Sequence, residues 1–187
     1  QMKIQAVKVG TIFHEDIITN IDFNKRPFSA ITDSGNKFES KTIIISTGAQ
    51  ARWLNLESEN KFKGFGISAC ATCDGFFFKN KNVAVIGGGN TAVEEALFLT
   101  KFASKVLLIH RRDSLRADKI LQNRVFKNPK IKILWNFIVE EFIGSENPYA
   151  LEKIKLINTK DNSKNEINVS GAFIAIGHDP ATSLFKN

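Results

Sequence analysis

The residues of this chain best suited to chemistry are two cysteines three positions apart, Cys70 and Cys73, followed directly by Asp74. A pair at this spacing can open and close as a disulfide, which carries two electrons to another thiol or disulfide. That chemistry needs an attacking thiolate, a resolving sulfur and a proton donor for the departing thiolate. Asp74 is the obvious donor, and its alternative role is that of a turn residue before Gly75.

Two other interpretations of the cysteine pair are weaker. A zinc site needs two further ligands at suitable spacing. The sequence has no second CxxC, and its three histidines are scattered at His14, His110 and His178. A pair of inert core thiols remains as the other alternative, and no metal site is predicted. The phenylalanine run that follows, Phe76-Phe77-Phe78, is predicted to pack in the core.

A glycine motif lies a short distance after the cysteines, where an apolar run beginning at Asn82 ends. The spacing Gly87-x-Gly89-x-x-Ala92 is typical of a strand that turns into a dinucleotide-binding helix. Gly87 permits the tight turn, Gly89 lets the backbone approach a pyrophosphate, and Ala92 keeps the helix close to the sheet. Unpaired N–H groups at the start of the helix would bind phosphate oxygens. The candidate site comprises Gly87, Gly88, Gly89, Asn90, Thr91 and Ala92; the alternative is a glycine turn without a ligand.

The residues after the next apolar run indicate which dinucleotide the motif would bind. An NAD site usually carries an acidic residue there, roughly twenty positions downstream. This chain has His110-Arg111-Arg112-Asp113-Ser114-Leu115-Arg116 instead, and Arg111 lies 22 positions after Gly89. Guanidinium groups pair bidentately with a phosphate, so the sequence predicts NADPH, held by His110, Arg111, Arg112 and Arg116. A solvated basic turn is the alternative.

Electrons cannot pass directly between two such sites. Hydride transfer from NADPH delivers two electrons at once, and thiols do not accept hydride at a useful rate, so a flavin is the usual relay. The sequence contains no second glycine fingerprint, and FAD therefore does not follow from spacing. One further turn, Thr47-Gly48-Ala49, is tight enough for the backbone to approach a ligand closely.

Composition and charge restrict the class of protein. The 187 residues, 43% hydrophobic and 24% charged, are ordinary for one or two globular domains. No apolar run approaches the roughly 20 residues that span a bilayer, and the start does not resemble a secretory signal. A chain that begins at Gln1 is expected to be trimmed or partial. The net charge of +7 comes from dispersed lysines, so neither nucleic acid nor membrane is an expected partner. A single CxxC favours a cytosolic setting.

The elements that must position these residues fall into two patterns. Residues 3–9, 15–23 and 27–33 alternate polar and apolar, and with the apolar run 42–46 they predict an antiparallel meander ending in a buried strand. From residue 81 the pattern changes to α/β, in which a doubly wound parallel sheet is predicted. Its strands are expected near 82–87, 106–109 and 131–135, and its helices over 91–102 and 115–125. Three more strands are expected over 137–143, 151–158 and 166–176, with a hairpin turn at Asp161-Asn162-Ser163.

In this order the motifs resemble the bacterial-type, low-molecular-weight thioredoxin reductase family over essentially the whole chain. The matching stretches are residues 46–49, 68–77, 83–96, 110–113 with Arg116 and Ala117, and 175–178 with Pro180. The resemblance implies that residues 1–50 belong to a FAD-binding domain. It implies that residues 53–178 form a Rossmann-like NADPH-binding domain that carries the cysteine pair, and that residues 179–187 return to the FAD domain. The two domains of this family rotate, here about linkers near 50–53 and 178–181.

The same resemblance implies roles for individual residues. Cys73 would face the flavin, Cys70 would attack the oxidised partner, Asp74 would protonate departing species, and the turn Thr47-Gly48-Ala49 would contact FAD. Electrons would pass from NADPH through FAD and the disulfide to thioredoxin, in a cytoplasmic homodimer. The family's first FAD fingerprint and its closing glycine-aspartate segment do not occur in this sequence. The chain alone is therefore expected to bind FAD weakly or not at all.

Alternative functions are also compatible with the motifs. The flavoprotein subunit of alkyl hydroperoxide reductase shares the CxxCD and the nucleotide fingerprint, but it would need an additional N-terminal thiol domain. The Ala71-Thr72 pair between the cysteines fits thioredoxin reductase better. Flavin-dependent ferredoxin–NADP reductase is disfavoured because it lacks the cysteine pair. A non-catalytic NADPH-binding module would agree with the missing flavin segments.

Overall fold

The computed structural model describes residues 1–185, which divide into two compact units. Among the described residues, the first unit comprises residues 1–49 and 180–185. It contains one helix, a three-stranded antiparallel sheet in the order β1-β2-β3, and a 3-10 turn at Ser183–Phe185. The bounds are α1 (Met2–Lys8), β1 (Ile18–Asp22), β2 (Phe28–Thr32) and β3 (Lys37–Ser40). β1 and β2 lie within the stretches predicted to alternate, whereas β3 was not predicted.

Two expectations for this unit are wrong. Residues 3–9 are not a strand but largely the helix α1, because Ile4 and Val7 are also spaced as one face of a helical turn. No residue of α1 is buried, so no packing enforces the alternating pattern. The apolar run 42–46 is likewise not a strand, and Ile44 is 92% exposed. A buried strand needs neighbours to pair with, and none of residues 1–185 pairs with this run.

The second unit, Gln50–Asp179, is built on a five-stranded sheet in the order β5-β12-β6-β7-β8. All four pairings are parallel. The strands are β5 (Ile67–Ser68), β6 (Asn82–Gly87), β7 (Lys105–His110), β8 (Ile131–Trp135) and β12 (Gly171–Ala175). Four helices accompany them: α2 (Glu57–Phe62), α3 (Ala71–Asp74), α4 (Asn90–Leu99) and α5 (Lys119–Lys127).

Both faces of this sheet are covered, which is why its strands are continuous apolar runs. Val83 and Val85 of β6 pack in one buried cluster with α4, and Ala84 and Ile86 pack in a second cluster on the opposite face. The second cluster is completed by a three-stranded antiparallel sheet in the order β11-β10-β9. Its strands are β9 (Phe137–Glu146), β10 (Tyr149–Asn158) and β11 (Lys164–Asn168). The remaining strands, β4 (Ala49–Ala51) and β13 (His178–Pro180), pair with each other.

The predicted α/β class, with a central parallel sheet and an antiparallel meander, is confirmed, and the hairpin turn at Asn162 has the expected positive φ of 58°. Several predicted boundaries differ: the helix predicted over 91–102 ends at Leu99, and the strand predicted over 137–143 extends to Glu146. The stretch 166–176 is two strands, since the chain leaves the antiparallel sheet after Asn168 and enters the parallel sheet at Gly171. The second helix begins at Lys119, not at Leu115, because residues 111–118 form a loop. No helix among residues 1–185 has the length and hydrophobicity needed to cross a bilayer.

Candidate functional site

Three loops of the second unit bring the predicted functional residues to one edge of the parallel sheet. Because the strands are parallel, their carboxyl ends lie together, which is where α/β proteins bind ligands. The cysteine segment follows β5, the glycine loop (residues 87–89) follows β6, and the arginine loop (residues 111–118) follows β7. The redox and nucleotide candidates thus belong to one scaffold.

Cys70 and Cys73 form a disulfide, with their Cα atoms 5.3 Å apart. Cys70 caps the short helix α3, and its Sγ accepts the N–H of Cys73 at 3.2 Å. The N–H of Cys70 in turn donates to Ser68 Oγ at 3.0 Å. Cys70 is half-buried while Cys73 is exposed. This backbone donor would stabilise a thiolate on Cys70 once the disulfide is reduced, whereas the Cys73 sulfur belongs to the more accessible residue.

Asp74 and the three phenylalanines complete the redox segment. Asp74 is half-buried at the end of α3, and its N–H donates to the Cys70 carbonyl oxygen at 3.1 Å. The prediction that the phenylalanine run is core is correct only for Phe78, whose ring packs 5.4 Å from that of Phe173. Phe76 is 66% exposed and Phe77 is 71% exposed. The 3-10 turn at Gly75–Phe78 directs successive side chains to different sides, so a run of like residues is divided between core and surface.

The glycine loop is tightly constrained on one side and open on the other. Gly87 has a φ of +154°, and a Cβ there would collide with the Ala175 carbonyl oxygen and with Ala92. A Cβ at Gly88 would overlap the ring of His110. At Gly89, which precedes the first turn of α4, nothing lies within 4 Å of a Cβ position. The loop therefore presents an open backbone surface at the N-terminus of a helix, which fits a pyrophosphate group.

The arginine loop offers three exposed cations. Within residues 1–185, the guanidinium groups of Arg111, Arg112 and Arg116 form no ion pair and no hydrogen bond. Their backbones, in contrast, are fixed: the Arg116 N–H donates to the Gly88 carbonyl oxygen at 2.8 Å, and Asn136 N–H donates to Arg112 O at 3.2 Å. The loop thus holds free positive charge beside the glycine loop, as a phosphate site requires.

His110 has a different position from the arginines that follow it. Its residue is only 5% exposed, and burial lowers its pKa because the charged ring is disfavoured in a desolvated site. Its Nε2 lies 3.0 Å from the Ser114 carbonyl oxygen, and its ring fills the space against Gly88. The ring of His110, a predicted cofactor ligand, thus lies against Gly88 of the glycine loop.

Glu95 is a residue that sequence reasoning missed. It lies on α4, and burial raises the pKa of its carboxyl group, while a hydrogen bond from the Ala71 N–H acts in the opposite direction. Its Oε2 is buried and has no hydrogen-bond partner among residues 1–185. The nucleotide helix α4 and the redox helix α3 are in contact with each other. In the sequence Glu94-Glu95 looks like an ordinary solvated helix surface, so no signal could have identified it.

The turn Thr47-Gly48-Ala49 belongs to the first unit and is exposed. Gly48 has a φ of +75°, and nothing lies within 4 Å of a Cβ position there. Thr47 Oγ1 donates to the Ala181 carbonyl oxygen at 2.6 Å, and Ala181 N–H donates to Gly48 O at 2.9 Å. The turn can therefore offer an open backbone surface to a ligand, but its hydroxyl is already engaged.

The chain matches a known protein family and is similar in sequence to curated proteins. The model of the pyridine nucleotide-disulphide oxidoreductase family matches residues 3–187. The chain is 55% identical over 185 residues to the thioredoxin reductase of Rickettsia felis, which covers 99% of the chain and 60% of that relative. It is 46% identical to the thioredoxin reductase of Coxiella burnetii, covering 100% of the chain and 58% of the relative. The chain thus spans about three fifths of the length of these relatives.

Solved structures give the same result. The thioredoxin reductase of Lactococcus lactis superposes with a TM-score of 0.80 at 38% identity, over 91% of this chain and 55% of that one. The thioredoxin reductase of Giardia duodenalis superposes with a TM-score of 0.84 at 33% identity, over 98% of this chain and 59% of that one. These similarities are stronger than likeness of fold alone.

Proposed function

Since the chain belongs to the pyridine nucleotide-disulphide oxidoreductase family, we propose that it provides the nucleotide site and the redox disulfide of an NADPH-dependent thioredoxin-disulfide reductase. One observation carries the proposal: the Cys70–Cys73 disulfide, the glycine loop and the arginine loop leave the same edge of one parallel sheet. The relatives named thioredoxin reductase support the choice of thioredoxin as the partner.

The nucleotide is NADPH, bound by two loops with separate tasks. The open backbone at Gly89 and the first N–H groups of α4 bind the pyrophosphate. The free guanidinium groups of the arginine loop bind the 2′-phosphate, which NADH lacks. Ala92, fully buried, keeps α4 close to the sheet so that both loops reach one dinucleotide. The proposed ligand set is Gly87, Gly88, Gly89, Asn90, Thr91, Ala92, Arg111, Arg112 and Arg116, with His110 as support.

The cysteine pair carries the electrons to the protein partner. FAD, when bound, supplies a two-electron relay between NADPH and a disulfide. Two electrons and two protons convert the Cys70–Cys73 disulfide to a dithiol. One of its thiolates attacks the disulfide of thioredoxin, forms a mixed disulfide and releases a partner thiolate; the other then displaces the second partner sulfur and restores the Cys70–Cys73 bond. Asp74, which follows Cys73 directly in the chain, is the proposed donor of a proton to the departing thiolate.

The roles of the two sulfurs are open to a direct test. Family resemblance gives the attack to Cys70, and the N–H bond to its Sγ supports that assignment because it stabilises a thiolate. The exposure of Cys73 supports the opposite assignment. Cys70→Ser and Cys73→Ser separate them: only the variant that keeps the attacking sulfur forms a trapped mixed disulfide with thioredoxin.

FAD is assigned to the turn Thr47-Gly48-Ala49 within the described chain. The open side of Gly48 fits close approach by a planar ring or a ribityl chain, and the Thr47 hydroxyl, already bonded to Ala181 O, fixes the turn rather than the cofactor. The domain assignment of residues 1–50 to a FAD-binding domain, 53–178 to an NADPH-binding domain and 179–187 to the return segment is part of this proposal.

Phe76 and Phe77 extend the proposal to the docking of the partner. Both rings are exposed directly after the cysteine segment, and exposed aromatic residues are enriched at protein contacts. The proposal also includes a homodimeric, cytoplasmic whole protein, on family likeness. The relatives do not favour an alkyl hydroperoxide reductase subunit or a non-catalytic nucleotide module.

The decisive experiment measures NADPH oxidation by the whole protein, with added FAD, in the presence and absence of oxidised thioredoxin. We expect consumption that depends on thioredoxin and falls to background in both Cys70→Ser and Cys73→Ser. NADPH binding, measured by calorimetry, serves as the control and should be the same in both variants because neither sulfur belongs to the nucleotide loops. Undiminished thioredoxin reduction in either variant would contradict the proposal.

A further inference from the structure

The two loops of the nucleotide site are joined by a reciprocal pair of side-chain hydrogen bonds. Asn90, the first residue of α4, donates from Nδ2 to Asp118 Oδ2 at 2.8 Å. Asp118, which precedes α5, donates from its backbone N–H to Asn90 Oδ1 at 2.8 Å. The two residues are 28 positions apart. Two bonds in opposite directions fix the relative orientation of the two helix N-termini more closely than one bond would.

Further hydrogen bonds hold the second half of the arginine loop in place. The Arg116 N–H donates to Gly88 O at 2.8 Å, which places Arg116 directly beside the glycine loop. Gln122 Nε2 donates to the carbonyl oxygens of Leu115 and Ala117, at 3.3 and 2.6 Å. With the Asn90–Asp118 pair, these bonds fix the backbone on both sides of Arg116, although its guanidinium group remains free.

We propose that the Asn90–Asp118 pair is a positioning device that sets the preference of the site for a 2′-phosphorylated dinucleotide. The inference rests on the proposed NADPH site and adds to it. The pair holds the arginine loop at the distance from the glycine loop at which one dinucleotide reaches both, so pyrophosphate and 2′-phosphate are bound together. Loss of the pair leaves the pyrophosphate end in place but lets the arginine loop move away from the 2′-phosphate.

This changes the role of Asn90 from that of a direct ligand. Its side-chain oxygen and nitrogen are both committed to Asp118, so its side chain acts on the loop rather than on the nucleotide. Its backbone N–H remains at the start of α4 and is available to the pyrophosphate. Asp118 is likewise a positioning residue, because its carboxylate bonds the Asn90 amide.

The test exchanges the two side chains, since the pair is nearly symmetrical. Asn90→Asp removes the donor to Asp118 and sets two carboxylates face to face. Asp118→Asn is the matched control, because an amide there still accepts from Asn90 and its backbone N–H is unchanged. The double variant, N90D with D118N, reverses the direction of the side-chain bond. The carboxylate at position 90 then accepts from both the side-chain amide and the backbone N–H at position 118, so complementarity is restored.

The quantity to measure is the ratio of the dissociation constants for NADH and NADPH, by calorimetry on the full chain. The ratio cancels any effect of a new charge on the pyrophosphate, which both dinucleotides share. We expect N90D to lower the ratio about tenfold, corresponding to one charge-assisted contact, D118N to change it less than about threefold, and the double variant to regain most of it. Thermal melting checks folding, and Asn90→Ala provides a second variant if N90D does not fold.

The outcomes separate this inference from the proposed function. If the native chain binds NADPH no better than NADH, the proposed 2′-phosphate site is wrong. If the native chain prefers NADPH and N90D or N90A keeps the full preference, the site stands and the positioning role is overturned. A loss in N90D that the double variant does not recover also overturns it, because the loss then comes from repulsion between the new carboxylate and the 2′-phosphate and not from the broken pair.

Discussion

The nucleotide loops and the redox segment leave the same edge of one sheet, but they are held in different ways. The glycine and arginine loops are bonded to each other, and Gly88 is packed against the buried ring of His110. The redox segment is a short helix whose capping residue, Cys70, is bonded to Ser68, and it is followed by exposed rings at Phe76 and Phe77.

This difference corresponds to the size of the proposed ligands. A dinucleotide is bound through a few directed contacts, so the groups that make them must be fixed before it arrives. A disulfide that reacts with another protein must be reachable by a macromolecule, so its surroundings have to remain open. The same scaffold therefore combines a preorganised site with an accessible one.

The largest expected effect on nucleotide binding comes from removing the charges of the arginine loop. Replacing Arg111 and Arg112 by Ala should lower NADPH affinity about 100-fold, at about 1.4 kcal/mol per guanidinium contact, and leave NADH affinity nearly unchanged. Calorimetric titration of both nucleotides measures this. Lys119→Ala, an exposed cation at the start of α5, is the control for loss of charge in general. An unchanged preference in the arginine variant would remove the basis for NADPH.

Within the nucleotide site, two neighbouring glycines separate an effect on stability from an effect on nucleotide binding. Gly88→Ala would force a methyl group into the His110 ring and should lower the free energy of unfolding by about 2 kcal/mol, as overpacking does. Gly89→Ala meets no atom within 4 Å, so it should change stability by less than about 1 kcal/mol. It should nevertheless weaken both NADPH and NADH, because its methyl group would lie where the pyrophosphate binds. Urea unfolding and nucleotide titration test the pair together; equal stability of the two variants would contradict this account.

The redox segment should respond in the opposite sense, with a loss of partner binding and no loss of stability. Phe77→Ser should raise the KM for thioredoxin about fivefold in the whole protein, as expected for one aromatic interface residue, and change the free energy of unfolding by less than about 0.5 kcal/mol. Turnover of a small aromatic disulfide should be unaffected. Phe78→Ala is the matched control, since its ring packs on Phe173 and its loss should destabilise the fold. A KM that does not change would exclude Phe77 from the docking surface.

What the sequence predicts well are features whose signals are local. The strand–glycine–helix motif at Gly87–Ala92 is contiguous in the sequence, and its glycines have specific backbone requirements there. The buried strands of the parallel sheet were also predicted, because strands covered on both faces are continuous apolar runs.

The features that were missed depend on partners distant in the sequence or on exposure. Nothing in the residues near Asn90 indicates Asp118, and nothing near Glu95 indicates Ala71. The distinction between Phe77 and Phe78 depends on the 3-10 turn that carries them. The helix α1 was missed because a short alternating stretch fits both a strand and one helical face, and tertiary packing, which could decide, is absent there.

Glu95 lies on the nucleotide helix α4, which contacts the redox helix α3. Its replacement gives the smallest expected effect, a pH-dependent change in the free energy of unfolding. Burial raises the pKa of the Glu95 carboxyl group above the ordinary 4.5, and the Ala71 N–H of the redox helix acts in the opposite direction. The folded state then binds more protons than the unfolded state above pH 4.5, so stability falls as the pH rises from there through the raised pKa. Glu95→Gln has no such dependence and can still accept the Ala71 N–H. The unfolding free energies of this variant and of the native chain are measured in urea from pH 4 to 7. The value for the variant minus that for the native chain should increase as the pH rises. The increase should be less than about 1 kcal/mol because the site is partly solvated. A difference that shrinks with rising pH would mean that the ionised carboxylate stabilises the contact between the two helices.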